Sequence, residues 1–290
     1  MGLRLKFNLV LIVVFLAGFL AAGLVSRQLL RDNARDQVVR EARLMMEAAT
    51  SVRNYTITQI QPHLIKQIAE VFLPQTIPAY AATEAILMLQ KKYPDYSYKE
   101  ATLNPTNPRD RAADWEADLV NQFRQHSEIK EIVSEREAST GRSLYIAKPI
   151  QISNPACLSC HTTAAMAPPS MVKIYGESNG FGWKLNEIVG AQVVAVPMAL
   201  AIRNADRAFN TFMLSLAGVF AAVFVVLNVM LSWLIIRPIR NLSQAADKVS
   251  TGDFNVPEFV DQGRDEVSAL GGSFNRMRRS LEKAMQMMGS

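Results

Sequence analysis

Cys157 and Cys160 are the only cysteines of the 290-residue chain, and they stand in Cys157-Leu158-Ser159-Cys160-His161. C-x-x-C-H is the attachment signature of c-type haem. Two thiols at this spacing form thioethers to the two vinyl groups on one porphyrin edge, and the adjoining histidine is placed beneath the iron as its proximal ligand. Other chemistry fits parts of the motif. A thiol-redox C-x-x-C usually opens a helix in a βαβ setting, whereas this one follows the turn-rich Asn154-Pro155-Ala156. Zinc would want a second pair of ligands, and the other histidines are His63 and His126 alone. A disulfide between the two cysteines would be strained and would leave His161 without a role. The reading that uses all three residues is one covalent haem c per chain, bound by Cys157, Cys160 and His161, with His161 on the iron.

Iron held this way needs a sixth ligand or keeps an open position. His63 is the first choice for the second metal ligand, because imidazole binds both iron oxidation states; its ordinary role would be a half-exposed residue after Pro62. Met45, Met46, Tyr55 and His126 are the other candidates, and an open site filled by water or a gas is the last. Met166 and Met171, five and ten residues past His161, would reach the opposite ring face only awkwardly.

Two segments are too apolar for a globular protein. Residues 7–26 and 212–236 run 20 and 25 residues without a charge. At about 1.5 Å per residue each can cross a hydrocarbon layer of roughly 30 Å. The first resembles a secretory signal in having Arg4 and Lys6 before it, but its apolar run is long and no A-x-A site closes it, so an uncleaved anchor is expected. Flanking Lys and Arg do not settle the orientation. Covalent haem attachment is an extracytoplasmic reaction in bacteria, which places residues 27–210 in the periplasm and both termini in the cytoplasm of a bacterial inner-membrane protein. The formal charge of +5 on the chain, with no basic run, gives no footprint for nucleic acid.

Between the spans, Val38, Ala42, Met45, Ala49 and Val52 recur at helical spacing and predict a long helix over about 29–60. Pro62, Pro74 and Pro78 then break the chain into short helices, and 79–91 is again helix-like. Residues 96–103 alternate as a strand. Asn107 is expected to cap a helix opened by Pro108, whose apolar face carries Trp115, Leu119 and Phe123. Residues 129–134, 143–152 and 189–198 are strand candidates. Strands interleaved with helices give an α/β class with a mixed sheet. The haem loop, 154 to about 183, offers little apolar area and is expected to be poorly ordered without its cofactor.

After the second span, Ile239, Leu242, Ala246 and Val249 are spaced three, four, three, and Val267, Leu270, Phe274, Met277 and Leu281 three, four, three, four. A connector, 250–264, joins these two heptad helices. Alone they bury too little, so a parallel homodimer is expected.

Arg237-Pro238-Ile239 through Asp265-Glu266-Val267, with Ser273-Phe274-Asn275-Arg276-Met277, closely resembles the HAMP linker of receptor histidine kinases and chemoreceptors. The outer part resembles a bacterial and cyanobacterial family of c-haem-binding, PAS-like sensor domains. The matching residues are Asn154 to His161, Tyr175-Gly176, Asn179-Gly180-Phe181-Gly182-Trp183 and Ile188-Val189-Gly190-Ala191-Gln192. The resemblance implies a PAS-like sheet with a long N-terminal helix, 27–210, between transmembrane helices 7–26 and 212–236, followed by a HAMP-like coiled-coil pair, 237–290. A relative in that family uses a cysteine as distal iron ligand, and this chain has no third cysteine, so redox potential and gas reactivity do not carry over.

The implied function is a membrane-bound haem-c sensor that passes redox or diatomic-gas state to a cytoplasmic partner. That partner is expected on another chain, since the sequence ends at Ser290, nine residues past Leu281. With no catalytic triad or phosphate-binding loop evident, no enzyme is expected. The alternative is a membrane-anchored monohaem cytochrome for electron transfer, which leaves the paired heptads without a purpose. A third reading is an adaptor subunit with a vestigial haem.

Overall fold

The computed structural model describes residues 2–68, 70–138, 141–259 and 265–288. The chain divides into two compact units, residues 27–208 and the two flanking stretches 1–26 and 209–290 taken together.

The unit 27–208 contains the C-terminal part of helix α1 (Leu3–Tyr55), a π-helical turn (Thr56–Ile60), α2 (Gln61–Ile68) and α3 (Pro78–Gln90). Strand β1 (Ser97–Thr102), helix α4 (Asp114–Gln125), β2 (Ile132–Ala138) and β3 (Gly141–Gln151) follow. Short helices α5 (Leu158–His161) and α6 (Pro169–Tyr175), β4 (Ile188–Pro197) and the start of α7 (Ala199–Met230) complete it. The four strands form one sheet in the order β1-β4-β3-β2, antiparallel at every pairing.

Strand alternation divides the sheet between two cores. Leu144 and Ile146 of β3, Val194 and Val196 of β4, and Tyr98 of β1 face a stripe of small and flexible side chains on α1: Ala34, Val38, Ala42, Met45, Met46 and Ala49. The intervening Ala147, Ala191, Val193 and Ala101 face Leu119, Val120 and Phe123 of α4. Covered on both sides, β4 reads Ile-Val-Gly-Ala-Gln-Val-Val-Ala-Val-Pro, the near-continuous apolar run that a central strand requires. Gly190 of β4 sits so close to β1 that a Cβ there would lie 2.4 Å from the Ala101 carbonyl oxygen.

The α1 stripe lies where the periodicity placed it. Two local expectations are corrected. Asn107 does cap, its side chain accepting from the Arg109 amide, but the cap closes a single 3-10 turn, Pro108–Asp110. The chain then extends, with Ala112 N–H donating to the Thr102 carbonyl, before α4 begins at Asp114. The strand expected from Ile129 starts at Ile132, because Ile129 still donates to the His126 carbonyl in the turn leaving α4.

In the other unit, Phe15 and Phe220 stack at 4.7 Å between the apolar stretches of α1 and α7. Both helices are long and apolar enough to cross a membrane, and most of their apolar side chains are exposed, the rest being half-buried on one face of each. A π-helical turn (Leu231–Ile236) leads into α8 (Arg237–Ser250), and α9 (Glu266–Met288) follows the connector. Each π-helical turn immediately precedes an X-Pro step, Gln61-Pro62 and Arg237-Pro238. Gln61 donates to the Thr56 carbonyl and Arg237 to the Ser232 carbonyl, the wide-turn bonds that accommodate a proline without an N–H. Ala245, Val249, Val256 and Phe274 form a small core between α8, the connector and α9. Of the two heptad stripes, Ile239, Leu270, Met277 and Leu281 stay exposed. The end of the expected connector, 260–264, lies outside the described residues.

Candidate cofactor-binding site

A cavity of about 400 Å³ opens beside one end of the sheet, and Cys157, Cys160 and His161 all stand on its wall. Local sequence explains their placement. The Asn154 side chain accepts from the Ala156 amide, Pro155 fixes the first turn, and the chain winds through a 3-10 turn (Pro155–Cys157) straight into α5. Three residues apart on one helical turn, the thiols share a face. Both are free and half-buried. Burial pushes the Cys157 thiol up from its ordinary range, against the pull of the Arg53 guanidinium.

His161 is the most constrained of the three. Its Nδ1 lies 2.7 Å from the Gly180 carbonyl oxygen. A carbonyl can only accept, so Nδ1 carries the hydrogen and Nε2 keeps its lone pair. The ring stacks on Trp183 at 3.9 Å and 12°. Burial holds its pKa below the ordinary histidine value, with the Gly180 bond working the other way, so the imidazole is neutral. The loop that delivers Gly180 is pinned by main-chain bonds from Gly182 to the Thr162 carbonyl and from Trp183 to the His161 carbonyl.

The rest of the wall is largely apolar: Phe72, Ile77 and Met171 on one side, Ile152 and Val189 on another. Val189 reaches it through a β-bulge. Ile150 pairs with Gly190 and Gln151 with Ile188, so Val189 is the extra residue that re-aims the strand end. Within the loop 154–183, Ala167 and Met171 pack with Phe72, and Phe72 meets Tyr175 edge-on at 6.0 Å, so the loop does have an apolar cluster of its own to pack.

A charged network closes the cavity. Arg53, near the end of α1, pairs with the buried Glu100 of β1. Tyr98 donates to Glu100 at 2.7 Å, and Gln192 donates to the Tyr98 oxygen at 3.0 Å. Burial works against the Arg53 charge, but Glu100 beside it more than restores it and holds the guanidinium above its ordinary pKa. Asp110 lines the same cavity; burial pushes its carboxyl up to about 6, opposed by Arg109 and Lys99 and reinforced by Glu100. Arg109 also pairs with Glu84 at 2.5 Å and lies over the Tyr80 ring.

This donor set fits a c-type haem: two free thiols, one imidazole whose second ring nitrogen is hydrogen-bonded to a carbonyl, and walls with apolar side chains. Among the described residues no cluster of three or more His, Cys, Asp or Glu side chains is placed to hold a metal ion unaided.

The structure does not bring the expected sixth ligand to the site. His63 is exposed on α2 and does not line the cavity. Its predicted role followed from ligand chemistry, and α2 presents it to solvent instead. Tyr55 is likewise exposed, Met45 and Met46 are packed between α1 and the sheet, and His126 pairs with Glu128 at the end of α4. Met166 is exposed, but Met171, on the first turn of α6, is buried and lines the cavity. Arg53, Glu100 and Asp110 were missed as site residues. The signal for Glu100 was its place between Tyr98 and Thr102 on the inward face of an alternating strand.

In sequence order, a four-stranded antiparallel sheet with helices on both faces and a motif-lined cavity is followed by a short helix pair. Residues 31–197 match the Tll0287-like family model, more than half of the chain, and residues 230–283 match the HAMP domain. The chain belongs to the Tll0287-like family and carries a HAMP domain, so both resemblances read from the motifs hold. The chain is 32% identical over 96 residues to a protein named heme sensor protein HssS from Staphylococcus haemolyticus, covering 33% of this chain and 21% of that one. It is 34% identical over 95 residues to the protein of the same name from Staphylococcus aureus strain JH9, covering 32% and 20%. The chain thus spans about a fifth of the length of these relatives. The crystal structure of the cyanobacterial heme-protein Tll0287 aligns with 57% of this chain and 91% of its own, at 13% identity and a TM-score of 0.36, too low to carry an argument about fold.

Proposed function

We propose that the chain is a membrane-bound haem-c sensor, not an enzyme, that passes the redox or diatomic-gas state of its cofactor to a cytoplasmic signalling partner. The observation that carries this reading is His161, neutral, with Nδ1–H given to the Gly180 carbonyl, on the same cavity wall as Cys157 and Cys160. In this reading the two thiols hold the porphyrin as thioethers and His161 Nε2 binds the iron. When bound, haem c would supply a one-electron couple and a place for a small ligand on the iron. The chain's own residues supply the rest. Phe72, Ile77 and Met171 exclude water, which strengthens every charge interaction at the wall. Arg53 places a paired charge at that wall from α1, the helix that runs unbroken back to Leu3. A change of charge in the cavity therefore acts on a group carried by α1.

In the same reading, segments 7–26 and 212–236 cross a bacterial inner membrane, with the haem domain periplasmic and both termini cytoplasmic. Apolar side chains exposed over most of the surface of both helices, outside the face on which Phe15 meets Phe220, support it. A parallel homodimer covers the exposed Ile239, Leu270, Met277 and Leu281, and the HAMP match and the relatives' names support signalling through that bundle.

Met277→Cys provides the test, because thioether-bound Cys157 and Cys160 would leave it the sole free thiol. Bis-maleimide cross-linking in membranes is expected to change in yield between ferric, ferrous and carbon monoxide-treated samples. Equal yields in all three would contradict signalling and favour an electron-carrying membrane cytochrome.

A further inference from the structure

We propose that Asn104, just beyond β1, is the positioning residue for the axial histidine: it clamps the turn whose Gly180 carbonyl sets the His161 ring. The inference rests on the haem reading for its consequence, but the geometry stands without it. Asn104 grips the turn in both directions. Its Oδ1 accepts from the Gly180 amide at 3.3 Å, and its Nδ2 donates to the Phe181 carbonyl at 3.2 Å. The peptide between these two bonds carries the Gly180 carbonyl oxygen, which takes the His161 Nδ1 hydrogen at 2.7 Å.

Two further observations show that the clamp has no slack. Gly180 adopts φ +84°, which a side chain rarely tolerates, and an added Cβ would lie 2.1 Å from Thr106 Oγ1 and 2.8 Å from Thr106 Cα. The segment carrying Asn104 and Thr106 is therefore in direct contact with the turn. Thr106 Oγ1 also comes within 3.5 Å of His161 Nδ1. Residues far apart in sequence thus fix one hydrogen bond, and that bond has two chemical effects. It selects the tautomer with Nε2 as ligand, and it raises the donor strength of Nε2 by drawing the Nδ1 proton outward. A stronger donor favours ferric over ferrous iron. Asn104 lies two residues past the end of β1, the strand whose Glu100 pairs with Arg53, so the turn at the axial ligand and the charged pair are carried by one short stretch of chain.

The test uses the full-length chain in detergent with two readouts. In protein prepared without haem, nitrogen NMR of labelled histidine is expected to show His161 as the Nδ1–H tautomer, and Asn104→Ala to show a mixture of tautomers. In haem-loaded protein, Asn104→Ala and the space-filling Asn104→Leu are expected to raise the reduction potential. A tenfold change in the ferric/ferrous ratio is expected, which for one electron is about 59 mV. Should Asn104→Ala fail to fold, Asn104→Leu decides by the same readouts. An unchanged tautomer with an unchanged potential would overturn the proposal. A wild-type chain that binds no haem would overturn the functional reading instead, while the tautomer experiment would still judge the clamp.

Discussion

Asp110 sits in the cavity wall with its carboxyl pushed up to about 6, against an ordinary 3.8, chiefly by burial. The consequence for stability has a definite sign. Between about pH 4 and 6 the folded chain holds a proton on Asp110 that the unfolded chain has released. Stability from this group therefore falls as pH rises through that window. Asp110→Asn removes the effect. The variant is expected to match the wild type near pH 4 and to exceed it at pH 7, by on the order of 1 kcal/mol after solvent screening of a partly exposed group. Thermal unfolding of the solubilised chain at the two pH values measures it, and an equal difference at both would contradict the account. His161 and the thiols could be read from the motif because their chemistry is carried by types and spacing alone. Asp110 could not, since a carboxylate in Pro-Arg-Asp becomes unusual only when a fold buries it. His63 shows the same limit from the other side, as a competent ligand whose helix turns it to solvent.

The element that matters most is α1, because it supplies both a core stripe and a charge to the cavity. The stripe from Ala34 to Ala49 was plain in the sequence, being periodic and apolar. The role of Arg53 was not, because its partner Glu100 is brought to it by the sheet. Arg53→Met leaves a buried carboxylate without its cation and is expected to cost about 3–5 kcal/mol of stability. Adding Glu100→Gln removes the stranded charge while keeping an acceptor for Tyr98, so the double variant is expected to be more stable than Arg53→Met alone. A denaturant series over the double-mutant cycle measures this, and strict additivity would show that the pair is not coupled. The strands were legible to within a few residues because β3 and β4 are apolar on both faces. The loop 154–183 was harder, since its order comes from contacts with Phe72 and Asn104, far away in sequence.

At the scale of the whole molecule, the sequence divides itself by composition: two uncharged apolar segments, a mixed region between them, and a heptad pair. The structure has two compact units, residues 27–208 and the two flanking stretches together, and the family matches fall on residues 31–197 and 230–283. Ile239, Leu270, Met277 and Leu281 stay uncovered in one chain, and the proposed pairing with a second copy would cover them. In the proposed function, what joins these parts into a sensor is the cofactor that the motif implies. The most direct test is the absorption spectrum of the purified full-length chain after denaturation in alkaline pyridine with reduction. The account predicts the c-type haemochrome, one haem per chain, retained through acid–acetone extraction and lost in Cys157→Ala/Cys160→Ala. A chain expressed with an active haem-attachment pathway that shows no pigment, or whose pigment is extracted completely, would contradict it.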